Sequence, residues 1–133
     1  MKIQVAAALL LIASQLGHAE EKPGPHGGKV VQNNTHQFEV KIDPAANHVE
    51  VYTLNTKKLA PRSMAITLFR DSGTGQTIEL QAVNLQDPLP KFQGELSPHA
   101  GSYVGAELRF EISVKNFEIL RFVPYIPSQA SRL

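Results

Sequence analysis

The segment from Glu107 to Val114 alternates strictly between polar and apolar side chains. Its apolar residues share one parity: Leu108, Phe110, Ile112 and Val114. Successive side chains of a β-strand point to opposite faces, so this pattern predicts a strand with one buried face and one solvated face. Such half-buried strands are typical of antiparallel sheets. No stretch of the chain after the first nineteen residues shows a sustained helical period, so we expect the fold to be built from strands.

The same alternation recurs in shorter runs, with Gly, Pro, Asn and Asp residues between them. The predicted strands contain Lys29–Gln32, Phe38–Ile42, Val49–Val51, Met64–Leu68, Ile78–Ala82, Phe92–Leu96, Leu108–Val114 and Phe117–Val123. We place the last turn at Lys115-Asn116, because Asn tolerates the positive φ of hairpin turns. Strands about ten residues apart with local hairpins usually pack as two antiparallel sheets. We therefore predict an all-β, antiparallel, immunoglobulin-like β-sandwich of seven to eight strands, with a small antiparallel β-barrel as the alternative.

The chain begins with the pattern of a secretory signal peptide. Lys2 is followed by the apolar run Val5–Ile12 and by Gly17-His18-Ala19, which has small residues at the −3 and −1 positions of a cleavage site. The run is too short for a membrane span, so we expect a periplasmic or secreted protein with no membrane insertion after cleavage. The predicted organisation is a signal peptide at 1–19, a flexible leader at 20–28, the sandwich at 29–127 and a loose tail at 128–133.

The composition argues against several classes of function. Without the signal peptide, 12 basic residues balance 12 acidic residues and form no basic stripe, so we expect no nucleic-acid partner. The chain contains no Cys, which excludes disulfides and thiolate chemistry. It also lacks the local context of a nucleophile elbow or a phosphate-binding loop. We predict that the protein is not an enzyme.

Three histidines are the candidate metal ligands. His26 lies in Pro25-His26-Gly27-Gly28, a flexible turn that could carry an ion site, although a solvated turn histidine is the alternative. His36 shares the parity of the apolar residues that follow it, so it lies at the end of the core-facing row, as a ligand or as a neutral, hydrogen-bonded cap. His99, in a second Pro/Gly loop, is the possible third donor.

Imidazole suits Zn²⁺ and Cu²⁺, and either ion needs three or four converging donors. Carboxylates that could complete the set include Glu21, Glu39 and Glu95. The remaining histidine, His48, has the parity of Glu50 and should face water. The sequence therefore predicts a Zn²⁺ or Cu²⁺ site at His26, His36 and His99, with no local motif that fixes its geometry.

The segment Pro25-His26-Gly27-Gly28-Lys29-Val30-Val31, together with His36-Gln37-Phe38-Glu39-Val40, resembles a family of small exported bacterial proteins. Related modules are linked to the periplasmic adaptors of heavy-metal efflux pumps. Val49–Asn55 and Phe92–Leu96 resemble later strands of that family, whereas Asn55–Pro61 departs from its usual Asp-x-x-Gly-Lys-Pro turn. The resemblance implies a β-sandwich and a role in periplasmic metal handling.

Two hypotheses remain open from the sequence. The first is a non-catalytic periplasmic accessory protein that binds a transition-metal ion and acts with an efflux adaptor or another envelope protein. The second is a protein–protein interaction module of the envelope, in which sheet edges or loops dock a partner and the histidines are incidental.

Overall fold

The structure is a computed structural model that describes residues 23–57, 59–73, 75–97 and 103–125. The strands are β1 (Lys29–Gln32), β2 (His36–Asp43), β3 (His48–Thr56), β4 (Ser63–Phe69), β5 (Gly75–Ala82), β6 (Lys91–Glu95), β7 (Gly105–Ser113) and β8 (Asn116–Phe122). A short 3₁₀ turn at Pro44–Ala46 joins β2 to β3. The predicted signal peptide, the tail from 128 and His99 lie outside the described residues.

All neighbouring strands pair antiparallel, in the order β1-β2-β3-β6-β5-β4-β7-β8. Only two residue pairs, Gln81–Gln93 and Ala82–Phe92, connect β5 to β6, so the sheet divides into two four-stranded halves. The halves face each other across the core, where the ring centroids of Phe38 and Phe110 lie 4.8 Å apart. β1 and β8 are the two edges, with a groove of about 540 Å³ between them. The predicted all-β antiparallel fold is confirmed, with a sheet that is nearly closed.

The core consists of the apolar side chains that alternate along the strands and point to their inner face. In β7, Leu108, Phe110 and Ile112 are buried as the alternation predicted. The predicted position of the following turn is wrong by one residue, because Ser113 pairs with Asn116 and the turn consists of Val114 and Lys115. Lys115 takes the positive φ of 61°, and Val114 is 72% exposed at the tip. The geometry of the two-residue turn therefore ends β7 at Ser113, although Val114 continues the apolar pattern.

Among the described residues, no helix is long and apolar enough to cross a membrane.

Candidate functional site

The residues just before β1 form a tight hairpin turn. In this turn, Pro23–Lys29, the backbone N–H of Gly24 donates to the carbonyl of Gly28 at 2.8 Å, and the N–H of Gly27 donates to the carbonyl of Gly24 at 2.9 Å. Gly27 has a φ of +84°, the left-handed conformation that closes a three-residue hairpin loop and that favours glycine. The described part of the predicted leader, from position 23, therefore has a defined backbone conformation.

The turn folds over the outer face of β2 and covers Glu39. This residue has the polar parity of its strand, yet its side chain is completely buried. Its Oε2 accepts hydrogen bonds from the backbone N–H groups of His26 at 2.8 Å and of Gly28 at 2.7 Å. A Cβ at Gly24 would lie 2.6 Å from the same oxygen, so only glycine lets the turn approach the carboxylate this closely.

The side chain of His26 is the third partner of Glu39. Its Nδ1 lies 2.7 Å from Oε1 of the carboxylate. Burial raises the pKa of Glu39, but the hydrogen bonds from the His26 ring, from Gly28 N–H and from His26 N–H outweigh burial and hold that pKa below its ordinary value. The ionised carboxylate only accepts hydrogen bonds, so in the neutral form of the ring Nδ1 carries the hydrogen and Nε2 carries the lone pair.

The imidazole of His26 also packs on Tyr52 of β3. The two rings are parallel within 2°, with their centroids 3.7 Å apart. This contact follows from strand register, because Glu39 and Tyr52 are directly opposite each other in the β2–β3 ladder. The side chain of His26 remains 42% exposed, and within the described residues Nε2 has no hydrogen-bond partner. The ring is therefore fixed on one side and on one face, with Nε2 on the opposite side of the ring from the carboxylate.

A polar network continues from Tyr52 along the same face of the sheet. The Tyr52 hydroxyl donates to Oε1 of Glu50 at 3.1 Å, and Nζ of Lys91 lies 2.8 Å from Oε2 of Glu50. Burial and the nearby Glu50 carboxylate raise the pKa of Tyr52. The bond from Lys91 outweighs burial and lowers the pKa of Glu50. Nε2 of His48 lies 3.5 Å from Oε2 of Glu50, so this second surface histidine also has a carboxylate neighbour.

His36 has a different environment. It is 2% exposed and lies at the end of the core, with its ring centroid 4.9 Å from that of Phe110. Its Nε2 is 2.9 Å from the carbonyl oxygen of Leu59, and its Nδ1 is 2.8 Å from Oγ1 of Thr35. Because a carbonyl can only accept, Nε2 donates to Leu59, and with Nδ1 next to the Thr35 hydroxyl both ring nitrogens are engaged. This is the geometry of a buried, hydrogen-bonded cap.

The structure does not bring His26 and His36 together. His26 packs against the outer face of β2, whereas the ring of His36 packs in the core. The described residues contain no group of three or more His, Asp or Glu side chains that could surround an ion. What they provide is a single imidazole oriented by a carboxylate. Metal-binding histidines usually have this arrangement, in which one ring nitrogen donates to a carboxylate and the other is left for the ion.

Sequence reasoning named Glu39 as a possible metal donor but did not identify it as the residue that holds His26, and it missed Tyr52. The available signal was the turn itself. A Pro-Gly-Pro-His-Gly-Gly segment exposes several backbone N–H groups, which need an acceptor when they are buried.

No family model, no curated protein and no solved structure matches this chain. The resemblance of the His-Gly-Gly segment to exported metal-handling proteins therefore stays a prediction.

Proposed function

We propose that the protein is a non-catalytic, exported accessory protein of the cell envelope that binds a transition-metal ion through Nε2 of His26. The observation that supports this proposal is the 2.7 Å hydrogen bond between Nδ1 of His26 and the buried carboxylate of Glu39. It sets the tautomer that a metal ligand needs and leaves the other nitrogen at an exposed turn.

The charge of the site also favours a cation. Glu39 is ionised and completely buried, and among the described residues its hydrogen-bond partners are N–H groups of His26 and Gly28, with no Lys or Arg side chain paired to it. A divalent ion on Nε2 would place positive charge one imidazole ring away from this carboxylate. Zn²⁺ and Cu²⁺ are the ions that neutral imidazole binds well.

One imidazole is not a complete site. His99 is a further candidate donor from the same chain, and a periplasmic efflux adaptor or another envelope protein is the candidate protein partner. His36 would have to give up one of its two hydrogen bonds inside the core to bind an ion. We therefore assign His36 a structural role.

Tyrosine fluorescence provides a direct test of His26 as the ligand. The chain has no Trp and three Tyr residues, and the ring of Tyr52 stacks at 3.7 Å on that of His26. Cu²⁺ bound at Nε2 should therefore quench much of the Tyr52 emission. The titration uses the untagged chain from Glu20 to Leu133.

The matched control is His48→Ala, which removes another partly exposed surface histidine that has a carboxylate neighbour. We expect His26→Ala to abolish the saturable quenching and His48→Ala to retain it. The same quenching curve for the His26 variant and the unmodified chain would show that the metal binds elsewhere or not at all.

A second candidate function, an envelope interaction module, has its own supporting observation in the loop 83–90. This loop exposes three large aliphatic side chains: Val83, Leu85 and Leu89. The side chains of Asn84 and Asp87 accept backbone hydrogen bonds at 3.0 and 3.1 Å, which stabilise local turns of the loop. A photo-crosslinker at position 85 should then form one defined envelope adduct, and a crosslinker at the exposed strand position of Glu79 should form none. Absence of the adduct would remove this candidate.

A further inference from the structure

The tip of the turn is shaped for close approach by another molecule. Pro25, His26 and Gly27 are all exposed. The residues on either side of His26 in the chain are small: Pro25 has a compact ring and Gly27 has no side chain. A Cβ at Gly27 would have nothing within 4 Å. The described residues therefore present little steric obstacle on the exposed side of Nε2.

The number of ligands that a metal ion needs indicates which molecule should approach the tip. Zn²⁺ binds imidazole nitrogen at about 2.0–2.1 Å and takes four ligands in most protein sites. The described residues of one chain place one suitable nitrogen at this tip and no group of three donors anywhere. The missing donors must come from outside this set, and a second copy of the chain carries an identical imidazole, already in the correct tautomer.

We infer that a transition-metal ion at this site is held between the His26 residues of two copies, so that the metal links the protein into a symmetric dimer. This inference rests on the proposed metal-binding function. Two imidazoles on one ion place their Nε2 atoms roughly 3–4 Å apart, given metal–nitrogen distances of about 2 Å. Two narrow tips with Pro and Gly beside the ring can approach to that separation. Water or an additional carboxylate completes the coordination.

Charge supports a second copy as the partner. Each copy contributes the buried carboxylate of Glu39 next to its own imidazole, so one carboxylate from each copy lies one ring away from the cation. The chain without residues 1–19 has 12 basic and 12 acidic residues, so the two copies carry no net charge that would oppose their association.

The contact area makes the dimer depend on the metal. Stable protein interfaces bury about 1,200–2,000 Å² in total, and an interface confined to two three-residue tips buries far less. The protein should therefore be monomeric without metal. In a two-fold arrangement the same residue of each copy meets its equivalent, so one substitution removes both ligands.

Sedimentation velocity tests the inference with the untagged chain from Glu20 to Leu133 at about 100 μM. We expect a monomer with EDTA or Mg²⁺, and a dimer with Cu²⁺ or Zn²⁺ at half an equivalent of metal per chain. His26→Ala should remain monomeric with either metal, whereas His48→Ala should dimerise as the unmodified chain does. The Tyr52 quenching titration on the same samples should saturate at half an equivalent of Cu²⁺.

The outcomes separate the inference from the function it rests on. Quenching that saturates at one equivalent of Cu²⁺ per monomer would overturn the dimer and leave metal binding at His26 intact. If His99→Ala then abolishes the quenching, the second ligand lies in the same chain. A metal-dependent dimer that persists in His26→Ala would also overturn the inference. No quenching at any Cu²⁺ concentration would overturn both.

Discussion

Replacing Glu39 with glutamine tests how the turn is held on β2. The carboxylate accepts hydrogen bonds of 2.8, 2.7 and 2.7 Å from His26 N–H, Gly28 N–H and His26 Nδ1. Glutamine has nearly the same shape but no charge. Hydrogen bonds to charged groups contribute about 1.5–3 kcal/mol and those between neutral groups about 0.5–1.5 kcal/mol. At roughly 1 kcal/mol lost per bond, Glu39→Gln should lower the free energy of unfolding by about 3 kcal/mol at pH 7.

This loss should depend on pH with a definite sign. The pKa of Glu39 in the folded protein lies below its ordinary value of 4.5. The stabilisation from the ionised carboxylate is therefore complete above the ordinary pKa and is lost as pH falls through the folded-state pKa. The side chain of the glutamine variant does not titrate. The difference in unfolding free energy between the two proteins should thus shrink as pH falls below the ordinary pKa of 4.5.

Urea unfolding of both proteins between pH 7 and pH 3 measures this difference, with Glu79→Gln on exposed β5 as the matched control. Amide exchange at Gly28 shows whether the turn detaches before the domain unfolds, since local opening would hide part of the loss. Equal stability at pH 7 together with unchanged Gly28 exchange would refute the role of the carboxylate. A difference that stays constant down to pH 3 would refute the electrostatic explanation.

The same substitution should also change the chemistry of His26. The glutamine side-chain NH₂ group would face Nδ1 as a donor, so Nδ1 must accept and the ring hydrogen moves to Nε2. The lone pair needed by a metal ion is then no longer available at the exposed position. Cu²⁺ quenching of Tyr52 should weaken about 10–100-fold in apparent affinity, the usual effect of losing the carboxylate partner of a metal-binding histidine.

Three further predictions concern stability, each measured by urea unfolding. Phe110→Ala should lower the free energy of unfolding by about 3–5 kcal/mol, because the ring is fully buried. Arg109→Ala, on the exposed face, should lower it by about 1 kcal/mol or less. Equal losses would mean that the wrong side chains of β7 have been assigned to the core. Gly24→Ala should cost about 1–3 kcal/mol through its clash with the buried carboxylate, and Gly27→Ala about 1–2 kcal/mol through its φ of +84° alone. Both glycines lie in the turn, so both substitutions should accelerate amide exchange there. His36→Ala should cost about 2–4 kcal/mol yet leave Cu²⁺ quenching of Tyr52 unchanged, and loss of quenching in the folded variant would contradict its structural role.

Strand identity and facing could be predicted from the sequence because both depend on local alternation. Leu108 and Phe110 are buried since every second side chain of β7 points into the core. The end of β7 was misplaced because Val114 is apolar and continues the pattern. A two-residue turn with Lys115 in the left-handed conformation closes the hairpin one residue earlier. The position of the turn depends on how the two backbones pair, and the side-chain alternation of one strand does not predict that pairing.

The candidate site could be predicted only in part, for the same reason. His26 was identified from its Pro/Gly surroundings, but strand parity places Glu39 on a solvated face. Glu39 is buried because the turn at Pro23–Lys29 folds back over that face and places two N–H groups against the carboxylate. This contact joins residues 13 positions apart through the docking of one segment on another. Periodicity within either segment does not report it.

The contrast between His26 and His36 shows which property separates a candidate ligand from a buried cap. Each ring has Nδ1 within 2.8 Å of a protein oxygen, so the difference lies at Nε2. In His36 that nitrogen donates to the carbonyl of Leu59, and metal binding would break this bond and leave a buried carbonyl unpaired, at a cost of about 1–3 kcal/mol. In His26 binding breaks no hydrogen bond within the described residues. A difference of about 1–3 kcal/mol corresponds to roughly 5–150-fold in affinity, so a metal ion offered both imidazoles should bind His26.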